Sequence, residues 1–238
     1  MNSSPNKKLS VLIPVFNEEK TVAEVLQKII ALDLNGWEKE IIVVNDGSRD
    51  RTEDQIKPFL SQIRFLQHAK NQGKGAAIRT ALNVSTGTVI AIQDADLEYR
   101  CSDLIALVRE FDSDEVQVVY GSRNLNPEKQ GYPLYVLGGV LLTSLANGLF
   151  GCRLTDVCTC YKLYRSSIIK SLSLTSHGFE LEAEITSKIL KKGVRIKEIP
   201  IHYYPRTFKE GKKIRIFDGF IVGWTYIKNR FCCSSEHP

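Results

Sequence analysis

Short runs of β-branched and aliphatic residues, each followed by a helical pattern, recur through the first half of this chain. They constrain its fold more than any other feature. The runs lie at 9–14, 40–46 (Ile41, Ile42, Val43, Val44), 63–67, 88–93 and 116–121. Helical spacing marks 21–32 (Val22, Val25, Leu26, Ile29, Ile30), 51–60, 75–84 and 102–111. Strands without a polar face, alternating with helices, predict a parallel sheet covered on both sides. Right-handed crossovers then bring the strand C-termini to one edge, where α/β proteins bind ligands. The polar residues collect at those ends: Asn17 and Glu18, Asp46, Asp94 and Asp96, and Arg123.

The second half continues one domain over 1–238. Residues 8–123 form a ligand-binding half, 124–231 an extension beside it, and 232–238 a tail. A strand is expected at 160–164, a helix at 179–192, strands at 195–199 and 201–204, and an aromatic-rich helix carrying Phe217, Phe220, Trp224, Tyr226 and Ile227. With 43% hydrophobic and 25% charged residues the chain is globular, which excludes bulk disorder and disulfide miniproteins. The net charge is only +5, but residues 188–215 hold ten Lys/Arg against Glu198 and Glu210, or +8. That points to a local site for an anionic partner and away from a diffuse nucleic-acid surface. The first eight residues lack the apolar stretch of a secretory signal. The six cysteines lack zinc-site spacing and read as reduced cytosolic thiols.

Residues 130–152 carry no charge. Glycines, Pro133, Thr143, Ser144 and Asn147 interrupt the stretch, and the segments beyond it belong to the same domain, so a membrane span is rejected. Leu134, Leu137, Leu141, Leu145 and Leu149 share one helical face, with Thr143 and Asn147 opposite. That face suits a core helix or a helix lying on a bilayer surface.

Three motifs carry chemistry. Asp94-Ala95-Asp96 ends an apolar strand, where two carboxylates can turn to one hard cation, Mg²⁺ or Mn²⁺, with Glu98 as a third ligand. Asp46-Gly47-Ser48 reads as a turn in which Ser48 or Asp50 caps the next helix, or as a nucleoside contact through Asp46. In Asn71-Gln72-Gly73-Lys74-Gly75 the glycines would admit a phosphate and Lys74 would offset its charge, although the loop is no P-loop.

Val11-Leu12-Ile13-Pro14-Val15-Phe16-Asn17-Glu18, Val44-Asn45-Asp46-Gly47-Ser48-Arg49-Asp50, the 71–75 loop and Asp94-Ala95-Asp96-Leu97-Glu98 together resemble the family 2 glycosyltransferases over about residues 8–230. The resemblance implies the α/β GT-A fold, a mostly parallel sheet flanked by helices with a C-terminal acceptor-side extension. It also implies a nucleotide-sugar donor and a divalent cation. Tyr120-Gly121-Ser122-Arg123, Thr155-Asp156, Cys160 to Arg165, Phe179 to Ile185, Glu198 to Ile201, Tyr204-Pro205-Arg206 and Glu210 to Ile214 are similar to the dolichyl-phosphate mannose synthase and polyprenyl-phosphate branch. Carried over by position, Pro14, Val15, Phe16, Glu18, Asp46, Lys74 and Ala95 would line the donor site. Asp94, Asp96 and Glu98 would hold the metal. Arg123, Arg206 and Lys213 would bind donor and acceptor phosphates. Lys212 stands where the family often has serine. Some members carry C-terminal membrane spans; the expectation here is a peripheral protein on the cytoplasmic face of a membrane, or one with a membrane-anchoring subunit.

A lipid phosphate is largely dianionic at neutral pH and needs no general base. A hydroxyl acceptor would need one, and Asp156 is the candidate. A non-enzymatic nucleotide binder would leave Asp94, Asp96 and Glu98 unexplained. Glu180, Glu182 and Glu184 read as architectural or acceptor-side, and His177 and His202 as ordinary surface histidines.

Overall fold

The computed structural model describes residues 7–127, 132–207, 213 and 216–232. Seven strands form one sheet: β1 (Lys8–Val15), β2 (Glu38–Asn45), β3 (Arg64–Gln67), β4 (Val89–Ile92), β5 (Val118–Ser122), β6 (Lys162–Arg165) and β7 (Ile196–Pro200), in the order β3-β2-β1-β4-β6-β5-β7. The first four are mutually parallel, as their two-sided apolar character requires. β6 runs antiparallel to both β4 and β5, and β5 pairs parallel with β7.

Helices α1 (Val22–Ala31), α2 (Thr52–Ile56), α3 (Lys74–Val84) and α4 (Asp103–Arg109) fill the expected crossovers. The short α6 (Ser166–Lys170) was not anticipated, because five residues carry too little periodicity. One expected strand is absent. Residues 201–204 contribute only an isolated bridge between Tyr203 and Tyr99. Its backbone is committed elsewhere: the Tyr204 N–H donates to Glu98 O at 2.7 Å and the His202 N–H to Asp103 Oδ2 at 2.7 Å.

α5 (Pro133–Phe150), α7 (Leu181–Lys191) and α8 (Ile216–Phe231) form a separate helical layer. α5 is long and apolar enough to cross a bilayer. Both flanks nevertheless return to the same sheet edge, Asn126 donating to Ile201 O and Thr155 bonding Ser122. The core-helix expectation is also overturned, since only 11% of α5 is buried. The reason is its polar face. Thr143 accepts the Val157 N–H, and the Asn147 side chain holds both the N–H and the carbonyl of Leu154. Those bonds turn the polar side inward. Leu134, Leu137 and Leu141 are left 56–61% exposed.

Candidate active site

The C-terminal ends of β1, β2 and β4 open into a cleft of about 1340 Å³, walled on its far side by α5 and α8. Pro14, Val15, Phe16, Glu18, Asp46, Gly73 and Lys74 line one end. Asp46 is 2% exposed and rigidly held. Its Oδ1 accepts the Gln72 N–H at 2.9 Å and meets His68 Nδ1 at 2.7 Å, while Oδ2 accepts the Gly73 N–H at 2.8 Å. His68 Nε2 lies 2.9 Å from Thr80 Oγ1, so the imidazole is fixed at both ends. Sequence reading passed over His68, although it directly follows β3 and so obeys the strand-end rule that picked out Asp46. Neither Ser48 nor Asp50 is the N-cap of α2: Arg51 takes that position without a side-chain cap bond, Asp50 before it accepts the Thr52 N–H, and Ser48 accepts the Asn17 N–H.

The glycines of the 71–75 loop make room for neighbouring backbone. Gly73 has φ +99°, and a Cβ there would stand 2.3 Å from His177 O. A Cβ on Gly75 would stand 2.7 Å from Ser176 O. Both admit the 176–178 backbone against the start of α3, and the Ala76 N–H donates to His177 O. The loop is thereby locked in place and carries Lys74 into the cleft. Lys74 Nζ lies 2.7 Å from Asp94 and 3.8 Å from Glu182, whose other oxygen is 2.8 Å from the fully buried Lys162. Burial pushes the Asp94 carboxyl up, but the Lys74 ammonium more than reverses this and leaves it below its ordinary value.

Asp96 behaves differently. Burial and the neighbouring charges of Asp94 and Glu98 raise its carboxyl to about 7. The Arg206 guanidinium bonds Asp96 at 3.1 Å and Glu18 at 3.0 and 3.3 Å. Lys213 adds a contact to Glu18 at 2.6 Å and one to Phe16 O. Two cations of the basic segment therefore rest on carboxylates in this state. Lys209, Glu210, Lys212 and Arg215 lie outside the described residues.

Among the described residues no three Asp, Glu, His or Cys side chains converge as a ready-made metal site. The donor chemistry still fits a hard divalent cation at Asp94 and Asp96. Both supply carboxylate oxygens, excess negative charge raises the Asp96 carboxyl, and a guanidinium already stands on it. Glu98, the expected third ligand, accepts the Tyr203 hydroxyl at 2.7 Å and the Arg206 N–H at 2.9 Å.

Arg123 and Asp156 form one unit. Asp156 is 1% exposed. It takes Arg123 Nε at 2.7 Å, Arg123 Nη2 at 2.8 Å, the Arg123 backbone N–H at 3.1 Å and the Cys158 N–H at 3.2 Å. Burial would raise its carboxyl, but Arg123 holds it below the usual value. The guanidinium sits over the Tyr203 ring, 4.9 Å from its centroid, and faces the cleft.

The cleft continues between α5 and α8 as an apolar arm lined by Leu137, Leu141, Leu145, Phe220, Trp224 and Ile227. α5 and α8 meet at Gly223, where a Cβ would make ordinary contact with the Leu142 and Leu145 methyls at 3.5 and 3.7 Å. Phe220 and Trp224 at the mouth of the arm, and Phe217 beyond it, are 64–71% exposed.

The sequence model described as Glycosyl transferase family 2 matches residues 10–173. A dodecaprenyl-phosphate galacturonate synthase of Rhizobium johnstonii is 29% identical over 70% of this chain and 50% of its own length. The dolichyl-phosphate beta-glucosyltransferase ALG5D of Trichomonas vaginalis is 28% identical over 89% of this chain and 69% of its own. The chain thus spans half the length of the first relative and about two thirds of the second. Glucosyl-3-phosphoglycerate synthase of Mycobacterium tuberculosis, solved with Mn²⁺, UDP and its glucosylated product, superposes with a TM-score of 0.73. The superposition covers 96% of this chain and 82% of that one at 21% identity, a likeness of fold.

Proposed function

The chain belongs to glycosyl transferase family 2 and has its GT-A fold, and we propose that it transfers a hexose from a nucleotide-sugar donor to a polyprenyl phosphate at a membrane surface. The observation that carries this reading is the shape of the cleft, in which a carboxylate- and cation-lined end opens directly into an apolar arm between α5 and α8. A nucleoside diphosphate sugar fits the first and an isoprenoid chain the second. The names of the two relatives, both acting on polyprenyl phosphates, support the same acceptor class.

In this reading Pro14, Val15, Phe16, Glu18 and Asp46 hold the nucleoside, with Ala95 in the cleft wall beneath it. Asp94 and Asp96 hold Mg²⁺ or Mn²⁺, which when bound offsets the charge of the diphosphate. Arg123, Arg206 and Lys213 bind phosphate oxygens and screen the repulsion between donor and acceptor. The acceptor phosphate, already ionised, attacks the anomeric carbon from the side opposite the nucleoside diphosphate, and the centre inverts. No protein group removes a proton. That suits Asp156, whose oxygens are all engaged with Arg123 and the backbone and whose depressed carboxyl makes it a weak base. Asp156 is then the residue that positions Arg123.

The exposed apolar faces of α5 and α8, with Lys228 and Arg230 at the end of α8, would rest on the bilayer where the lipid acceptor lies. Among the described residues the five cysteines are free thiols, in keeping with a cytoplasmic face. A membrane-anchoring subunit would use the same surface.

The test is transfer of label from a panel of radioactive UDP- and GDP-sugars into an organic extract. The reaction contains Mn²⁺ and undecaprenyl or dolichyl phosphate. Extractable label from one donor, lost with EDTA and with Asp96→Ala, is expected. Donor binding without lipid product from any member of the panel would refute the acceptor.

A further inference from the structure

Glu182 belongs to no phosphate, metal or nucleoside contact described so far, yet its surroundings are unusual. It sits in the first turn of α7 between Leu181 and Ala183, both fully buried, so its backbone position is fixed. Its Oε2 takes the ammonium of Lys162, a side chain on β6 with no solvent exposure. Its Oε1 is sealed from solvent and has no hydrogen-bond partner. A buried carboxylate oxygen left without a donor is costly, and native structures rarely tolerate one without a use for it.

A second cation, Lys74 Nζ, lies 3.8 Å from that oxygen and 2.7 Å from Asp94. Lys74 lines the cleft but is largely buried, at 16% side-chain exposure, so water replaces Asp94 only in part as its partner. From Asp94 to a hydrogen bond with Glu182 the ammonium must move by only about 1 Å, given a normal N–H···O length of about 2.9 Å. We infer that Glu182 Oε1 is a second seat for the Lys74 ammonium, filled when Asp94 turns from Lys74 to a divalent cation, with Lys162 fixing the seat in position. This rests on the reading that Asp94 and Asp96 bind such a cation.

The exchange solves a problem that the Lys74–Asp94 pair creates. A lysine that neutralises a metal ligand competes with the metal. Without another acceptor, its release would leave a buried ammonium unpaired, and the cation would bind against that penalty. With Glu182 present, one buried pair replaces another. Glu182 is therefore a positioning residue for cation binding that touches neither the cation nor the substrate. The sequence groups it with Glu180 and Glu184, but those two serve the backbone. Glu180 accepts the His177 and Gly178 N–H groups, and Glu184 those of Thr175 and Ser176.

The test is the affinity for Mn²⁺, read from the free-ion electron paramagnetic resonance signal, with and without UDP or GDP. Glu182→Gln keeps the shape but leaves one carbonyl oxygen for two ammonium groups. Lys162, wholly buried, holds it, and the amide NH₂ faces Lys74. Mn²⁺ affinity should fall by about tenfold to a hundredfold, the range for a hydrogen bond to a charged group. Lys74→Met removes the competitor and should raise the affinity. In that background Glu182→Gln should change it by less than about threefold. If Glu182→Gln fails to fold, Lys162→Met with Glu182→Met removes the buried pair and every acceptor at the seat together and should show the same loss. Unchanged affinity in these variants would overturn the second seat, as would an equal loss in the Lys74→Met background. Wild-type protein that binds no Mn²⁺ would overturn the cation reading and the seat with it.

Discussion

Replacing Asp156 by Asn separates two chemistries that the sequence alone left open. The side chain keeps its shape, but the Arg123 guanidinium, bonded at 2.7 and 2.8 Å to the carboxylate, loses its counter-charge inside the protein. Removing one partner of a buried ion pair costs about 3–5 kcal/mol, out of a total stability of roughly 5–15 kcal/mol. For a domain of this size each kcal/mol is worth about 2–4 °C, so a fall in Tm of about 6–20 °C is expected, with the protein still folded. Transfer to polyprenyl phosphate should also drop, because Arg123 is no longer held over Tyr203. The decisive comparison is made in an Arg123→Ala background. There the guanidinium is gone and the Asp156 carboxylate is the buried charge left unpaired, so Asp156→Asn should restore part of the lost stability. It should change kcat by no more than about threefold if Asp156 acts only through Arg123. A general base contributes about 10²–10⁴ in rate. A further loss of that size in the Arg123→Ala background would refute the positioning role and revive a hydroxyl acceptor.

Burial and its acidic neighbours raise the Asp96 carboxyl to about 7, so protons compete with the cation there. Mn²⁺ affinity measured by calorimetry should fall about tenfold per pH unit below that value and level off above it, and Asp96→Asn should flatten the profile. Gly73→Ala forces a non-glycine residue to φ +99° with its Cβ 2.3 Å from His177 O. It should cost at least about 1–3 kcal/mol by thermal melt and weaken UDP or GDP binding, since the Gly73 N–H holds Asp46. On the outer face, Phe217 and Phe231 are 71% and 74% exposed and line no part of the cleft. Phe217→Asp with Phe231→Asp should leave Tm within a few degrees but lower vesicle co-sedimentation by tenfold or more, at about 1.5–3 kcal/mol per large side chain.

The sheet was legible because its strands are short, apolar on both faces and punctuated by polar ends. β1, β2, β3 and β4 all lie within two residues of their expected bounds. The antiparallel insertion of β6 was not legible, because Lys162-Leu163-Tyr164 carries no signal of direction. The false strand at 201–204 shows the limit of propensity. Its residues have β character, but Glu98 and Asp103 claim their environment from about a hundred positions away. For α5 the sequence left two readings open, a core helix and a helix on a bilayer surface, and the structure removes the first for a related reason. A row of leucines normally marks the buried side of a helix, but in this helix Thr143 and Asn147 have hydrogen-bond partners inside the protein and the leucines do not need any.

The same long-range logic applies to charge. Lys74, Arg206 and Lys213 invite reading as partners of phosphate, and in this state each sits on a carboxylate, at Asp94, Asp96 or Glu18. The two pairings are compatible. Carboxylates gathered at neighbouring strand ends repel one another, as the raised Asp96 carboxyl records. The basic groups of the cleft are the counter-charge that offsets this. Arg206 and Lys213, two cations of the +8 segment, thus hold the acidic strand ends together through Asp96 and Glu18.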